Sequence, residues 1–104
     1  TGVFDAAKET GGMVAGCDVD QNNLVPGQVI GSMVINYGNA VYQAFKEKEE
    51  GGLKFGAFKF GLEGDAVCWL LPDESVYETS DDIKTAVTDA REKILNGEIV
   101  VPAE

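Results

Sequence analysis

The 104 residues carry 18 Asp and Glu against 8 Lys and Arg, no histidine, and a formal net charge of −10. That charge excludes a nucleic-acid backbone or an anionic membrane surface as partner, because either approach works against self-repulsion. Without histidine the chain lacks the usual general base and the commonest transition-metal ligand, which makes it an unpromising enzyme. The length permits one domain at most, and a composition of 44% apolar and 25% charged residues is ordinary for a globular chain. Such a chain is expected to bury roughly two-thirds of its unfolded surface.

The chain opens on Thr1, and a helical pattern over Val3, Phe4, Ala7 and Lys8 stops at Gly11-Gly12. No charged segment leads into an apolar stretch, and no apolar run approaches the ~20 residues that span a bilayer. The chain reads as a fragment. Met13 to Cys17 suits a buried parallel strand, and Asp18-Val19-Asp20-Gln21-Asn22-Asn23 follows at its carboxyl end, the edge where α/β sheets bind ligands. Pro26-Gly27 marks a turn. Val29 to Ile35 predicts a strand or the first turn of a helix. Ala40, Val41, Ala44 and Phe45 then recur at helical spacing, and Lys46 to Glu50 forms its solvated end.

Leu53 to Leu71 predicts two strands joined by a turn. The glycines at 51, 52, 56, 61 and 64 make no phosphate loop, since no Gly-Lys-Ser/Thr accompanies them. Thr79 with Asp82 resembles a capping box, ahead of the apolar stripe Ile83, Ala86, Val87, Ala90, Ile94 and Leu95. Trp69 and the five phenylalanines are expected in the core. Cys17 and Cys68 have no C-x-x-C spacing and are expected as buried, unreactive thiols, with a disulfide as the other reading.

Asp18, Asp20, Gln21, Asn22 and Asn23 form the one well-placed polar constellation, and it admits three readings. It is a solvated loop, a hard-cation site, or a carboxylate accepting hydrogen bonds from sugar hydroxyls. The cation reading is the poorest. The stretch departs from an EF-hand at its fifth and sixth positions, Asn22 and Asn23, and carries Pro26 early. Ser32, Ser75 and Ser80 sit in no nucleophile elbow.

Three stretches form an ordered series: Thr1 to Glu9, Gly16-Cys17-Asp18-Val19-Asp20-Gln21-Asn22, and Val25-Pro26-Gly27-x-Val29-x-x-Ser32-Met33-Val34. Ala40-Val41-Tyr42 and Gly97-Glu98-Ile99-Val100-Val101-Pro102 complete it. This series resembles the C-terminal third of the basic membrane protein (BMP) family, the purine-nucleoside-binding lipoproteins of ABC importers. The resemblance implies an α/β, type I periplasmic-binding-protein-like fold, a Rossmann-like parallel sheet with flanking helices, here an incomplete C-terminal piece. About residues 1–31 would belong to one lobe and 32–104 mainly to the other. It implies an extracytoplasmic, membrane-anchored lipoprotein that works with an ABC permease and needs no cofactor. Asp18 maps onto the carboxylate that holds the ribose hydroxyls, with Asp20 and Gln21 as weaker candidates. The family usually carries a ribose-binding Lys where this chain has Ile35, which cannot donate a hydrogen bond. A fragment of such a protein cannot close a cleft and is expected as an oligomer or a domain-swapped assembly.

Two other functions fit the outline. One is an acidic receiver-like signalling domain holding Mg²⁺ beside a phosphorylated Asp, for which no closing Lys is placed. The other is a structural or assembly fragment without a ligand.

Overall fold

The computed structural model describes residues 2–52 and 56–102. In chain order the elements are α1 (Gly2–Thr10), β1 (Val14–Asp18), β2 (Val29–Ile35), α2 (Tyr37–Glu49), a single 3-10 turn at Glu63–Asp65, β3 (Val67–Leu70) and α3 (Asp81–Leu95). The strands form one mixed sheet in the order β1-β2-β3, with β1 parallel to β2 and β3 antiparallel to it. An α/β architecture is therefore present, but the all-parallel sheet expected from the sequence is not.

Parallel strands are usually joined by a crossover helix. Here β1 reaches β2 through residues 19–28 alone, and turns replace the helix: the Leu24 N–H donates to Gln21 O and the Gln28 N–H to Val25 O. Val29, whose hydropathy admitted a strand or a helix, begins a strand. The pairing carries an irregularity, because Val14 lies opposite Val29 while Gly16 lies opposite Ser32. One residue of β1, Ala15, thus faces two of β2, which makes a bulge at Ile30-Gly31. Gly31 takes φ +153°, and a Cβ there would strike the indole ring of Trp69. Only glycine suits that position.

The core is small. Phe4 and Ala7 of α1 pack with Val14, Val25 and Val29. Ala66 is buried too, beside the 3-10 turn. By contrast α2 and α3 bury no residue at all. α2 is held to the 3-10 turn by polar contacts, Asn39 Nδ2 donating to Gly64 O (3.2 Å) and Gln43 Nε2 to Glu63 O (3.1 Å). Arg91 ties α3 to Asp65 at 2.6 Å.

Several expectations fail for one reason, a shortage of covering surface. Trp69, Phe45 and Phe58 are exposed, and of the described phenylalanines only Phe4 is buried. Cys17 is exposed and Cys68 half-buried, and both are free thiols. The accessible surface is 7553 Å², whereas a compact monomer of 11.1 kDa exposes about 5,700 Å². The radius of gyration is 16.5 Å, against about 13 Å for a compact domain of this length. The two-thirds burial expected from length is not reached.

Of the two strands expected over 53–71, only β3 forms among the described residues. Residues 56–62 pair with no strand, and Leu53, Lys54 and Phe55 lie outside the described residues. The alternation there finds no neighbouring strand edge. The capping box is also corrected. Ser80, not Thr79, stands at the N-cap position of α3, without a side-chain cap hydrogen bond, and the Thr79 hydroxyl is buried with no partner among the described residues.

Candidate functional site

Parallel pairing of β1 and β2 brings their carboxyl ends to one edge of the sheet, with Asp18 opposite Val34. The residues that follow each strand therefore meet there. Asp18 closes β1 in the left-handed region, at φ +77°. Asp tolerates that conformation better than most side chains, but it remains uncommon and draws attention to the position. Asp18 is exposed, and its Oδ1 accepts a 3.0 Å hydrogen bond from the Tyr37 hydroxyl. Tyr37 is the first residue of α2. Asn36, the cap of that helix, accepts from the Asn39 N–H with its side chain and donates its own N–H to Ala66 O at 2.8 Å. Those bonds fix where α2 starts, and so place the tyrosine over Asp18. The Asp18 carboxylate accepts the Tyr37 proton and repels the phenolate, which holds the hydroxyl above its ordinary pKa.

Beneath this pair the acidic loop is stitched into the sheet. The Cys17 N–H donates to Gln21 Oε1 (2.9 Å), and the Gln21 N–H donates to Ser32 Oγ (3.0 Å). Ser32 Oγ donates to Asn22 Oδ1 (2.7 Å), and Asn22 Nδ2 donates to Leu70 O (3.3 Å). One chain of hydrogen bonds thus links β1, the loop, β2 and β3. Gly16 makes room for it, since a Cβ there would meet the Ser32 hydroxyl and lie 2.9 Å from the Gln21 Cβ. Asp20 Oδ1 accepts the Asn22 N–H at 3.0 Å, a local Asx turn.

Asp18 and Asp20 are both exposed with one carboxylate oxygen engaged, Asp18 by the Tyr37 hydroxyl and Asp20 by the Asn22 N–H, whereas Gln21 is tied to Cys17 and Ser32. Ile35 ends β2 half-buried, opposite Val67 of β3, and supplies no polar group to the edge. Sequence reasoning placed Asn22 in the polar constellation but missed Tyr37 and the part Ser32 plays in holding the loop. The signal for Tyr37 was its place two residues beyond the end of a strand parallel to β1.

Among the described residues no group of three Cys, Asp or Glu side chains converges to hold a metal ion. Asp18 and Asp20 point into different bonds, so the EF-hand outline finds no counterpart. A groove of about 310 Å³ lies between α3 and β3, lined by Leu62, Val67, Ile94 and Leu95 among others, and not by Asp18 or Tyr37.

An exposed carboxylate beside a hydrogen-bonded loop at the carboxyl edge of parallel strands lies where α/β sheets bind their ligands. The comparisons narrow that class. A family model described as "Bmp: ABC transporter substrate-binding protein PnrA-like" matches residues 1–104. Basic membrane protein C of Borreliella burgdorferi (strain N40) is 32% identical over 114 residues, covering 97% of this chain and 29% of that protein. Basic membrane protein B of Borreliella afzelii (strain PKo) is 34% identical over 106 residues, covering 97% of this chain and 28% of that protein. The chain belongs to the Bmp family of ABC-transporter substrate-binding proteins. It spans less than a third of the length of these relatives.

Proposed function

We propose that this chain supplies one part of an extracytoplasmic binding unit that captures a purine nucleoside for an ABC importer. In this reading Asp18 accepts hydrogen bonds from the ribose hydroxyls. The observation that carries it is the exposed Asp18 carboxylate at the shared carboxyl edge of β1 and β2, rigidly backed by the Gln21–Ser32–Asn22 chain of hydrogen bonds. A neutral nucleoside is also compatible with the net charge of −10, which repels anions. The unit does binding rather than chemistry, is membrane-anchored as a lipoprotein, and delivers its ligand to an ABC permease.

The complete protein would be a two-lobed, type I periplasmic-binding-protein fold, with about 1–31 in one lobe and 32–104 mainly in the other. The irregular pairing at Ile30-Gly31 lies beside that boundary. Support comes from the apolar surface left open on α2 and α3, where Tyr42 is 69%, Phe45 64% and Ile83 50% exposed. The 104 residues alone would hide those faces by self-association. A monodisperse monomer in analytical ultracentrifugation, melting cooperatively, would refute that last point.

Calorimetric titration of the protein at its full natural length with inosine, guanosine and adenosine tests the function. Binding of at least one is expected, and no heat or thermal shift with any of them overturns the reading. Asp18→Ala is expected to cost about 1.5–3 kcal/mol for each charge-assisted hydrogen bond lost.

A further inference from the structure

We propose that Tyr37 is a second ligand-facing residue of this site, and that it sets the site's preference for a pair of adjacent hydroxyl groups. The inference rests on the reading of Asp18 given above and extends it to a residue on another element.

The Tyr37 hydroxyl has one proton, and that proton is committed to Asp18 Oδ1 at 3.0 Å. The phenol oxygen keeps its lone pairs, and Asp18 Oδ2 has no hydrogen bond among the described residues. The two side chains therefore present acceptors side by side, with no free proton between them. A ligand that satisfies both must bring two neighbouring donors, which a vicinal diol does. A phosphate or carboxylate would meet two acceptors and a net charge of −10, so the same geometry rejects anions. Position supports the role. Tyr37 is 62% exposed, so its ring is not a core member whose hydroxyl emerges by accident. Asn36 anchors the start of its helix through Ala66 O and Asn39 N, which holds the phenol over the edge. Met33, Val34 and Ile35, the last residues of β2, bring no side-chain donor or acceptor of nitrogen or oxygen to that edge. The raised pKa of the phenol keeps its proton in place through the neutral range.

The test uses the protein at full natural length, as wild type, Tyr37→Phe and Asp18→Asn, titrated calorimetrically with inosine, 2′-deoxyinosine and 3′-deoxyinosine. Wild type is expected to prefer inosine over both deoxy compounds. Tyr37→Phe is expected to weaken inosine binding roughly fivefold to thirtyfold, the loss of one hydrogen bond, while at least one deoxy compound binds within about a factor of two of its wild-type affinity. In the absence of ligand, the Tyr37 ring followed by NMR should titrate above an ordinary tyrosine, and Asp18→Asn should return it to the ordinary range. If Tyr37→Phe binds inosine as wild type does, or weakens all three compounds equally, this inference fails while the nucleoside reading stands. A Tyr37 titration indifferent to Asp18→Asn overturns it as well. If wild type binds none of the three, the nucleoside reading fails and this inference falls with it.

Discussion

The stretch from Val14 to Ile35 and the pair of helices α2 and α3 obey different rules within one short chain. In the first, buried valines and a buried serine sit under a loop tied to the sheet through Gln21, Ser32 and Asn22. In the second, two helices of 13 and 15 residues bury no residue and are fastened by side-chain hydrogen bonds and ion pairs to exposed groups. Exposed ion pairs contribute little, so the helices owe little of their stability to the described neighbours. The difference teaches where the molecule is self-sufficient. The Asp18 edge stands on a scaffold completed by its own residues, whereas the helical faces are complete only with further covering surface.

The sharpest way to break that contrast is to fill the space glycine leaves. Gly31→Ala sets a Cβ against the Trp69 ring at φ +153°. Overpacking together with backbone strain should cost about 2–5 kcal/mol, seen in urea denaturation followed by Trp69 fluorescence. Ser32→Ala comes next. Ser32 is fully buried, and its loss strands the Gln21 N–H and Asn22 Oδ1. The expected destabilisation is about 1–3 kcal/mol for each stranded group in the same assay, and an unchanged midpoint would show that the hydrogen-bond chain does not hold the loop. Phe45→Ser in α2 should shift stability of the 104 residues by no more than about 0.5 kcal/mol, as for any uncovered surface position. In the full-length protein the same change should cost several times more if that face is covered.

The smallest effect is electrostatic. The Ser75 hydroxyl and N–H hold the Asp73 carboxyl below the usual carboxylate range. Its contribution is therefore present above that range and lost as pH falls through it towards the lower folded value. Asp73→Asn should lower the neutral plateau of stability slightly and leave the acid end, where Asp73 is already protonated, unchanged, so the acid limb of a urea-denaturation pH series flattens.

Legibility in the sequence followed the same division. α1, β1, the turn at Pro26-Gly27 and the existence of α2 and α3 could be read because each is set by local signals: a Gly pair, a short apolar run, a Pro-Gly step, a helical stripe. Asp18 could be placed at a strand's carboxyl end for the same reason. Burial could not be read. The stripe Ile83, Val87 and Ile94 promises a core, but a stripe states only which face seeks cover, not whether cover exists. Trp69 and Phe45 misled for that reason, as did Cys17. The alternation across 56–62 likewise implied a strand without naming a partner edge. Gln21 and Tyr37 illustrate the harder limit. That Gln21 is consumed by the fold depends on Ser32, eleven positions away, and that Tyr37 meets Asp18 depends on the parallel register of β1 and β2.

The most direct test of the central claim is the inosine affinity of the full-length protein with Asp18→Asn, measured by calorimetry beside its thermal melt. Asn tolerates the left-handed backbone at this position, so the fold should be undisturbed. The account predicts an unchanged melting temperature and an affinity at least about tenfold weaker, from the loss of a charge-assisted hydrogen bond to the sugar. Wild-type affinity in a normally folded Asp18→Asn protein would contradict it.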